Sequence, residues 1–399
     1  MPDWRTVRIA DVAEIYDGPH ATPHKTDDGP WFLSISSLVD GRLHLAESAH
    51  LSEDDFHRWT RRVTPKGGDV LFSYETRLGE AALMPDALCA CLGRRMGLLR
   101  PRIGVNPRFL LYAYLAPGFQ REIQRRAVHG ATVDRIPINE LGQWPIRMPD
   151  RRVQDAIVEV LGALDDKIEA NGRLVPLLRD LAVALLQQAA ERGTVYRVAD
   201  VADVRKGLSY AGAGLADAGM PMVNLANAAN FGWLKRSDFK HYTGAYKPRH
   251  VAPPGALLVS GVEQTWRHEI LGWPMLLPDD IGPALFSQDV FIVDFRDDAW
   301  LRLPLWAHLY TSAARERLEA MTYGTTVARF PTEALTGLAF PAPPPGSPVL
   351  DAAEQLVRRG WAAERETAHL AALRDALLPP LLDGRLRVRD AVDRASEHV

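Results

Sequence analysis

The stretch VRIADVAEIYDG at residues 7–18 recurs further along the chain as YRVADVADVRKG at residues 196–207. Six of the twelve positions are identical, and three more exchange Ile for Val or Glu for Asp. A second pair of segments, GATVDRIP at 130–137 and GTTVARFP at 324–331, shares the pattern G-x-T-V-x-R-x-P. These matches indicate that the chain contains an internal repeat.

A third pair of segments lies between these two, in the same order in each copy. GGDVLFS occupies residues 67–73 and PGALLVS residues 254–260. The spacing far exceeds the roughly 20–50 residues of solenoid repeats, so the pattern predicts a duplicated domain. Short apolar segments and one or two helical segments in each copy indicate mixed α and β structure. We therefore predict two α/β domains, at 1–150 and 193–346.

A long segment of helical character follows each copy. Residues 151–192 carry apolar side chains in alternating steps of four and three, the period of about 3.5 residues that is typical of a coiled-coil seam. The seam includes Leu164, Ile168, Asn171 and Leu178. The second segment, 347–382, begins with Ser347-Pro348, a helix start signal, and its thinner stripe includes Leu370. Because neither helix can bury its stripe alone, we expect an antiparallel pair.

Asn171 interrupts the apolar seam and has two interpretations. A lone Asn on such a seam costs stability and fixes the register of the two helices. Alternatively, Asn171 and Gly172 form an interruption of the helix, because Pro176 follows and a proline removes a backbone donor. We expect a kink or a short break at this place.

Composition and missing motifs exclude several classes of protein. Apolar residues make up 47% of the chain and charged residues 24%, near the average for a folded protein. The chain has no apolar run of about 18 residues and no apolar signal core at its N-terminus, so we expect a cytoplasmic protein without a membrane segment. A net charge of −3 means that any DNA binding depends on local geometry.

The chain also lacks the motifs of catalytic and metal sites. It contains no phosphate-binding G-x-x-x-x-G-K-[ST] loop, no dinucleotide fingerprint and no HExxH pair. Cys89 and Cys91 have the wrong spacing for a zinc knuckle, and we interpret them as two buried thiols. We therefore expect no catalytic residue, no metal and no cofactor bound by this chain.

A duplicated domain in which a long helix follows each copy, with LGALDDKIEANGRL at 161–174, resembles the specificity subunit (S subunit, HsdS) of type I restriction–modification systems. The likeness extends from Trp4 to about Arg387 and is most specific in that helical run and in the G-x-T-V-x-R-x-P elements. It implies an α+β fold of two tandem α/β target-recognition domains, separated by two long antiparallel coiled-coil helices. Residues 383–399 would form a C-terminal tail.

The resemblance also implies a function and partners. Each domain would read one half of a bipartite double-stranded DNA target, and the helices would act as a spacer and dock two methyltransferase subunits. S-adenosylmethionine, ATP and Mg²⁺ are expected on the methyltransferase and restriction subunits. The expected subunit-interface residues are Leu164, Ile168, Asn171, Leu178 and Leu370. The chain departs from the family at 356–370, where LVRRGWAAERETAHL replaces an LDDKIE-like run.

Two loops that follow predicted strands carry groups suited to DNA contact. The first consists of Tyr74, Glu75, Thr76 and Arg77. Its counterpart contains Gln264, Thr265 and Arg267. Acceptors, hydroxyls and arginines are the groups that contact base edges and phosphates. The alternative interpretation is an ordinary solvated loop.

Other polar residues have a DNA-binding interpretation beside a structural one. Thr132 and Arg135, with Thr326 and Arg329, belong to the element that both copies share, and shared residues cannot discriminate between half-sites. We assign them to phosphate positioning or to structure. Arg94 and Arg95 form a basic pair that contacts DNA or lies on a solvated face. Asn224 either bonds adenine or shapes a turn.

A function of a different class stays open on the sequence. A coiled-coil scaffold could use the same duplicated domains to bind protein partners instead of DNA. The DNA interpretation predicts that one split sequence is bound far more tightly than random duplex, whereas the scaffold interpretation predicts no difference.

Overall fold

The computed structural model describes residues 4–19, 23–129, 133–228, 233–237, 239–263, 270–324 and 327–396. Its contacts divide the chain into two compact units. The first unit comprises Met1–Glu169 and Ala368–Val399, and the second comprises Ala170–Thr367. Each unit therefore contains one copy of the repeated domain, together with part of each of the two long helical segments.

The helices are α1 (Ile9–Val12), α2 (Glu53–Trp59), α3 (Pro107–Leu115), α4 (Pro117–Arg126), α5 (Ile138–Leu141), α6 (Arg151–Ala190), α7 (Val198–Val201), α8 (Arg302–His308), α9 (Ser312–Ala320), α10 (Thr332–Thr336), α11 (Pro348–Leu382) and α12 (Val388–Ser396). The expected long helices are thus α6 and α11, and α11 begins at the predicted proline. α3 and α4 are separate helices because Pro117 starts a new one.

The strands of the first unit are β1 (Arg5–Arg8), β2 (Ala13–Asp17), β3 (Lys25–Phe32), β4 (Leu38–Val39), β5 (Arg42–Leu43), β6 (Ala49–Leu51), β7 (Val70–Ser73), β8 (Ala81–Leu83), β9 (Ala90–Cys91), β10 (Met96–Pro101) and β11 (Pro145–Met148). Four of them form an antiparallel sheet in the order β2-β10-β7-β8. β1 pairs with β11, and a second sheet has the order β6-β3-β9, in which β3 and β9 are parallel.

The strands of the second unit are β12 (Thr194–Arg197), β13 (Ala202–Lys206), β14 (Leu215–Ala216), β15 (Met220–Val223), β16 (Lys240–Tyr242), β17 (Val251–Ala252), β18 (Leu257–Ser260), β19 (Val262–Glu263), β20 (Pro274–Leu276), β21 (Ala284–Phe286), β22 (Val290–Phe295), β23 (Ala328–Arg329) and β24 (Ala339–Ala342). The sheet β13-β22-β18-β20 and the pair β12–β24 repeat the topology of the first unit. The second sheet, β14-β16-β15-β21-β17, differs but keeps one parallel pair, β15–β21.

This repeated topology confirms the prediction of two tandem α/β domains. In both units the strand that follows the short helix, β2 or β13, lies at one edge of the four-stranded sheet. β7 and β18, which lie in the shared segments 67–73 and 254–260, are buried along their whole length. Strands buried on both faces read as continuous apolar runs, which explains why these two segments were recognisable.

The long helices complete the core of each unit. In the first unit Leu161 and Leu164 of α6 belong to the same buried cluster as Leu377 of α11 and Trp144. In the second unit Ala182 and Leu186 of α6 join Val357 and Trp361 of α11 in a comparable cluster. The apolar stripes are therefore buried against the domains as well as against each other.

The two long helices run antiparallel. Arg374 Nη1 lies 3.2 Å from Asp165 Oδ1, in the first unit. In the second unit Asn171 Nδ2 donates to Glu366 Oε2 at 2.7 Å and to the Ala363 carbonyl at 3.3 Å. Asp165 of α6 thus pairs with Arg374 of α11, whereas the later residue Asn171 pairs with the earlier residue Glu366. This order is that of antiparallel helices, as expected from the sequence.

The expected break in α6 was wrong, because the helix continues through Gly172 and Pro176. Buried apolar side chains lie on both sides of the proline, with Ile168 before it and Leu178 after it, and each contributes about 1.5–3 kcal/mol. This burial outweighs the roughly 3 kcal/mol that a proline costs in a helix interior. Asn171 thus bonds across the seam, as the register interpretation requires.

The assignment of the seam residues to an interface with another subunit needs correction. Leu164, Ile168, Asn171, Leu178 and Leu370 are all buried within this chain. Because these side chains close the intramolecular seam and the cores, their surface is not available to a second protein. The C-terminal residues also form structure: α12 packs on the first unit and buries Ala391.

Replacing Asn171 by Ala is expected to lower the free energy of unfolding by about 1.5–3 kcal/mol, because a buried hydrogen bond to a carboxylate is lost. Urea unfolding followed by circular dichroism measures this change. Gln188→Ala, at an exposed position of the same helix, is the control and is expected to change stability by no more than about 0.5 kcal/mol. Equal stability of the two variants would show that the Asn171 bonds make no net contribution.

Candidate nucleic-acid interface

Two of the predicted DNA-contact segments meet at one end of the main sheet of the first unit. β7 and β10 are antiparallel neighbours in which Ser73 lies opposite Met96. The loop that follows Ser73 and the residues that precede Met96 therefore emerge side by side. The Tyr74 N–H donates to the Arg95 carbonyl at 3.1 Å, which joins the two segments directly.

Arg135 joins the same place through its backbone. The Ile136 N–H donates to the Tyr74 carbonyl at 2.8 Å, and Val128 and Arg135 exchange two backbone hydrogen bonds of 2.9 and 3.1 Å. Ile136 is buried, and Arg135 is exposed. The backbone thus anchors one side chain in the core and directs the neighbouring arginine to solvent. We call this set of backbone bonds the strand-end frame.

The second unit contains the same strand-end frame. The Gly261 N–H donates to the Asp289 carbonyl at 2.8 Å, and the Phe330 N–H donates to the Gly261 carbonyl at 3.3 Å. Tyr323 and Arg329 exchange two backbone bonds of 2.9 and 3.0 Å. Phe330 is buried and Arg329 is exposed. Arg329 is therefore the structural equivalent of Arg135, as the shared sequence element predicted.

Two of the four described non-glycine residues with positive φ lie at the strand-end frame of the first unit. Thr76 has a φ of 68° and Arg95 a φ of 74°, in the left-handed region that favours glycine. Non-glycine residues with this conformation occur preferentially at binding and active sites, where the surrounding structure enforces them. Here both strained residues belong to segments that the sequence marked as candidates for DNA contact.

Carboxylates hold three arginines of this sheet end in place. Glu75 Oε2 lies 2.8 Å from Arg95 Nε, and Glu80 lies 3.1 Å from Arg77 Nη2. Asp17, at the end of β2, pairs with Arg62.

Arg94 and Arg135 complete the basic groups at this sheet end. Within the described part of the chain neither side chain has a hydrogen-bond or ion-pair partner, and both are exposed. Two arginines are thus available to an anionic ligand, and they lie beside others that are already oriented.

Tyr74 is the member of the first loop that does not reach the surface. Its ring belongs to the core of the first unit, and burial raises the pKa of its hydroxyl. It borders a cavity of about 290 Å³ that is also lined by Asp17, Glu75 and Arg135. The structure therefore gives Tyr74 a supporting position, whereas Glu75, Thr76 and Arg77 are at least partly exposed.

Asn224 lies in a buried turn of the second unit. Its Oδ1 accepts from the Ala226 N–H at 3.0 Å, and its own N–H donates to Asn227 Oδ1 at 2.9 Å. These bonds correspond to the turn-forming interpretation of Asn224 and not to base contact. Several other predicted residues lie outside the described residues, namely Thr132, Gln264, Thr265, Arg267 and Thr326.

An apolar side chain that the sequence analysis missed is exposed beside each shared arginine. Val128 and Tyr323 are the backbone partners of Arg135 and Arg329, and both are among the exposed large apolar residues. Apolar groups next to an arginine can contact thymine methyl groups or stack on bases. The sequence signal for them is their position one or two residues before the shared glycine, since Val128 precedes Gly130 by two residues and Tyr323 precedes Gly324 directly.

The thiols and acidic side chains form no recognisable metal site in the described ranges. No group of three or more His, Cys, Asp or Glu residues there is placed to hold a metal ion. Cys91 is buried in β9, which raises the pKa of its thiol to about 12, but Cys89 is exposed. The expectation of two buried thiols was therefore wrong for Cys89, because the strand begins only at Ala90. None of the described helices is both long and apolar enough to cross a membrane.

Similarity to known proteins is found in the three-dimensional structure and not in the sequence. No protein-family model and no curated protein matches the chain. The crystal structure of the type I restriction-modification system S subunit from M. genitalium matches with a TM-score of 0.58, at 13% identity, over 95% of this chain and 96% of that chain.

Two further structures match over most of their length with lower scores. The HsdS subunit from Thermoanaerobacter tengcongensis is 19% identical, over 97% of this chain and 98% of that chain, with a TM-score of 0.34. A chain from a study of complex assembly and conformational transition of the type I R-M system is 17% identical, over 97% and 99%, with a TM-score of 0.43. On the evidence of the first match and of the duplicated topology, this chain has the fold of the S subunit of a type I restriction–modification system.

Proposed function

We propose that this chain is the non-catalytic DNA-specificity subunit of a type I restriction–modification complex and reads a bipartite target, one half-site per unit. The observation that carries this proposal is the strand-end frame, which presents an exposed arginine in both units, Arg135 and Arg329. A duplicated recognition surface suits two half-sites on duplex DNA, because the two strands are themselves related by two-fold symmetry.

The shared arginines fit a role in phosphate binding. A guanidinium group binds phosphate oxygens in a bidentate way and stays charged at every physiological pH. Since the chain as a whole has a net charge of −3, attraction to DNA requires local unpaired cations of this kind. The residues around the frame differ between the units, so each unit would select its own half-sequence.

The partner subunits require a surface other than the seam. Leu177 and Leu181 of α6 are 64% and 49% exposed and lie one helical turn apart on the same face. Exposed apolar side chains that are adjacent on a helix are typical of protein interaction sites. We place the contact with a methyltransferase subunit there; that subunit would supply S-adenosylmethionine, and a restriction subunit would use ATP and Mg²⁺.

Co-expression of the chain with its candidate methyltransferase subunit, followed by sequencing of modified bases in the host genome, tests the proposal. A single split motif with modified adenine in each half is the expected result. A stable complex that produces no new modification would contradict the DNA-specificity function and favour a scaffold that binds protein partners.

Replacing Arg135 or Arg329 by Ala is expected to weaken DNA binding without changing the selected sequence, because each variant loses one phosphate contact. The slope of log K against log salt concentration should decrease by about 0.9 for each arginine removed. Titration of labelled duplex at several salt concentrations measures this slope. Arg192→Ala, at an exposed position just after α6, is the control and should leave it unchanged.

A Leu177→Ser/Leu181→Ser double variant should lose the methyltransferase subunit while it remains folded. The variant removes exposed apolar area from α6 and leaves the buried seam intact. Co-purification with a tagged methyltransferase subunit measures the association. Val195→Ser, at a residue of the second unit that is 65% exposed, is the control. Undiminished co-purification of the double variant would place the contact elsewhere.

A further inference from the structure

The strand-end frame defines which positions of the two units are equivalent. Tyr74 and Gly261 both donate their N–H to the residue immediately before the neighbouring strand, which is Arg95 in the first unit and Asp289 in the second. The same backbone geometry therefore carries a cation in one unit and an anion in the other.

A second equivalent position lies on the adjacent strand end. Glu75 is the bridge partner of Arg135 in the first unit, and Val262 is the partner of Arg329 in the second. The first unit thus has a Glu–Arg pair where the second has Val and Asp. Since both units hold these positions with the same backbone bonds, the difference lies in the side chains.

The Glu75–Arg95 pair is oriented for recognition. Glu75 Oε2 lies 2.8 Å from Arg95 Nε, so the closest approach of the carboxylate is to the inner guanidinium nitrogen and not to the two terminal nitrogens, Nη1 and Nη2. One of these, Nη1, has only a long contact of 3.5 Å to Thr76 Oγ1. Both side chains remain accessible, at 38% exposure for Arg95 and 26% for Glu75.

We propose that Arg95, oriented by Glu75, reads a guanine in the half-site of the first unit and that Asp289 prevents the same reading in the second. This inference rests on the proposed DNA-specificity function. Two terminal guanidinium nitrogens match the O6 and N7 acceptors of guanine in the major groove. The carboxylate of Asp289, at the equivalent position, has only hydrogen-bond acceptors and therefore repels the O6 and N7 atoms of guanine.

The backbone conformation of this segment is an independent observation in favour of the same role. Arg95 itself is left-handed, with a φ of 74°, and Thr76 beside it has a φ of 68°. Their equivalents in the second unit, Asp289 and Glu263, are not among the described residues with positive φ. Among the described residues, Arg95 has this strained conformation and its equivalent Asp289 does not, which indicates that the Arg95 side chain is held in position for recognition.

The experiment uses the complex of the full chain with its methyltransferase subunit and determines the modified motif for wild type and variants. In Arg95→Asp and in Glu75→Val/Arg95→Asp, which introduce the second unit's residues, the preference for guanine at one position of one half-site should decrease by about 5- to 140-fold. The other half-site should not change. Arg95→Gln, which avoids like charges beside Glu75, should lose the same preference.

Glu75 acts by positioning Arg95, so its own variants test this positioning role separately. Glu75→Gln should reduce the discrimination at that position without selecting a new base, and Glu75→Asp should restore part of it. Arg61→Asp, at an exposed arginine elsewhere in the first unit, is the charge-matched control and should weaken binding uniformly across sequences.

The modified motifs distinguish failure of the guanine-reading role from failure of the proposed specificity function. If Arg95→Gln and Arg95→Asp remain folded and modify the wild-type motif with unchanged preference, the guanine-reading role is wrong while the specificity function stands. If the wild-type complex itself modifies no split motif, the proposed function fails, and the inference fails with it.

Discussion

Burial of the apolar stripes of α6 and α11 is the constraint on which the structure depends. Each unit takes part of both helices into its own core, so that Leu161 and Leu377 close one core and Leu186 and Val357 close the other. Exposing such a stripe to solvent would be costly, because each fully buried leucine contributes about 1.5–3 kcal/mol to the free energy of unfolding. The helices are therefore part of both folded units and not merely a connection between them.

The surface that we propose for DNA recognition follows from a second constraint, the pairing of backbone groups at the end of a buried strand. Buried N–H and C=O groups must be paired, and the strand-end frame satisfies them in the same way in both units. Once the frame anchors Ile136 and Phe330 in the cores, the preceding arginines face solvent. Side chains on this frame are free to differ, because its bonds involve only the backbone.

Much of this was predictable from the sequence, and the exceptions have identifiable causes. Repeats predicted the two domains because strands and turns of the same sequence form the same local structure. A kink or a short break was expected near Pro176, but α6 is continuous there because burial of Ile168 and Leu178 on either side outweighs the cost of the proline. Leu164 and Leu370 were assigned to a subunit interface through the family resemblance, but their burial within the chain leaves them no surface for another protein.

The sequence by itself determined the duplication, because similar segments recur along the chain, and the two long helices, because their apolar residues follow a local period of about 3.5. It also determined which loops carry polar groups. Only the tertiary structure decided which of these loops meet. The bond from Tyr74 to Arg95 joins segments that are separated along the chain, and the antiparallel register of β7 and β10 brings them together. Register depends on long-range packing, so the Glu75–Arg95 pair and its counterpart at Val262 and Asp289 could be recognised only in the folded chain.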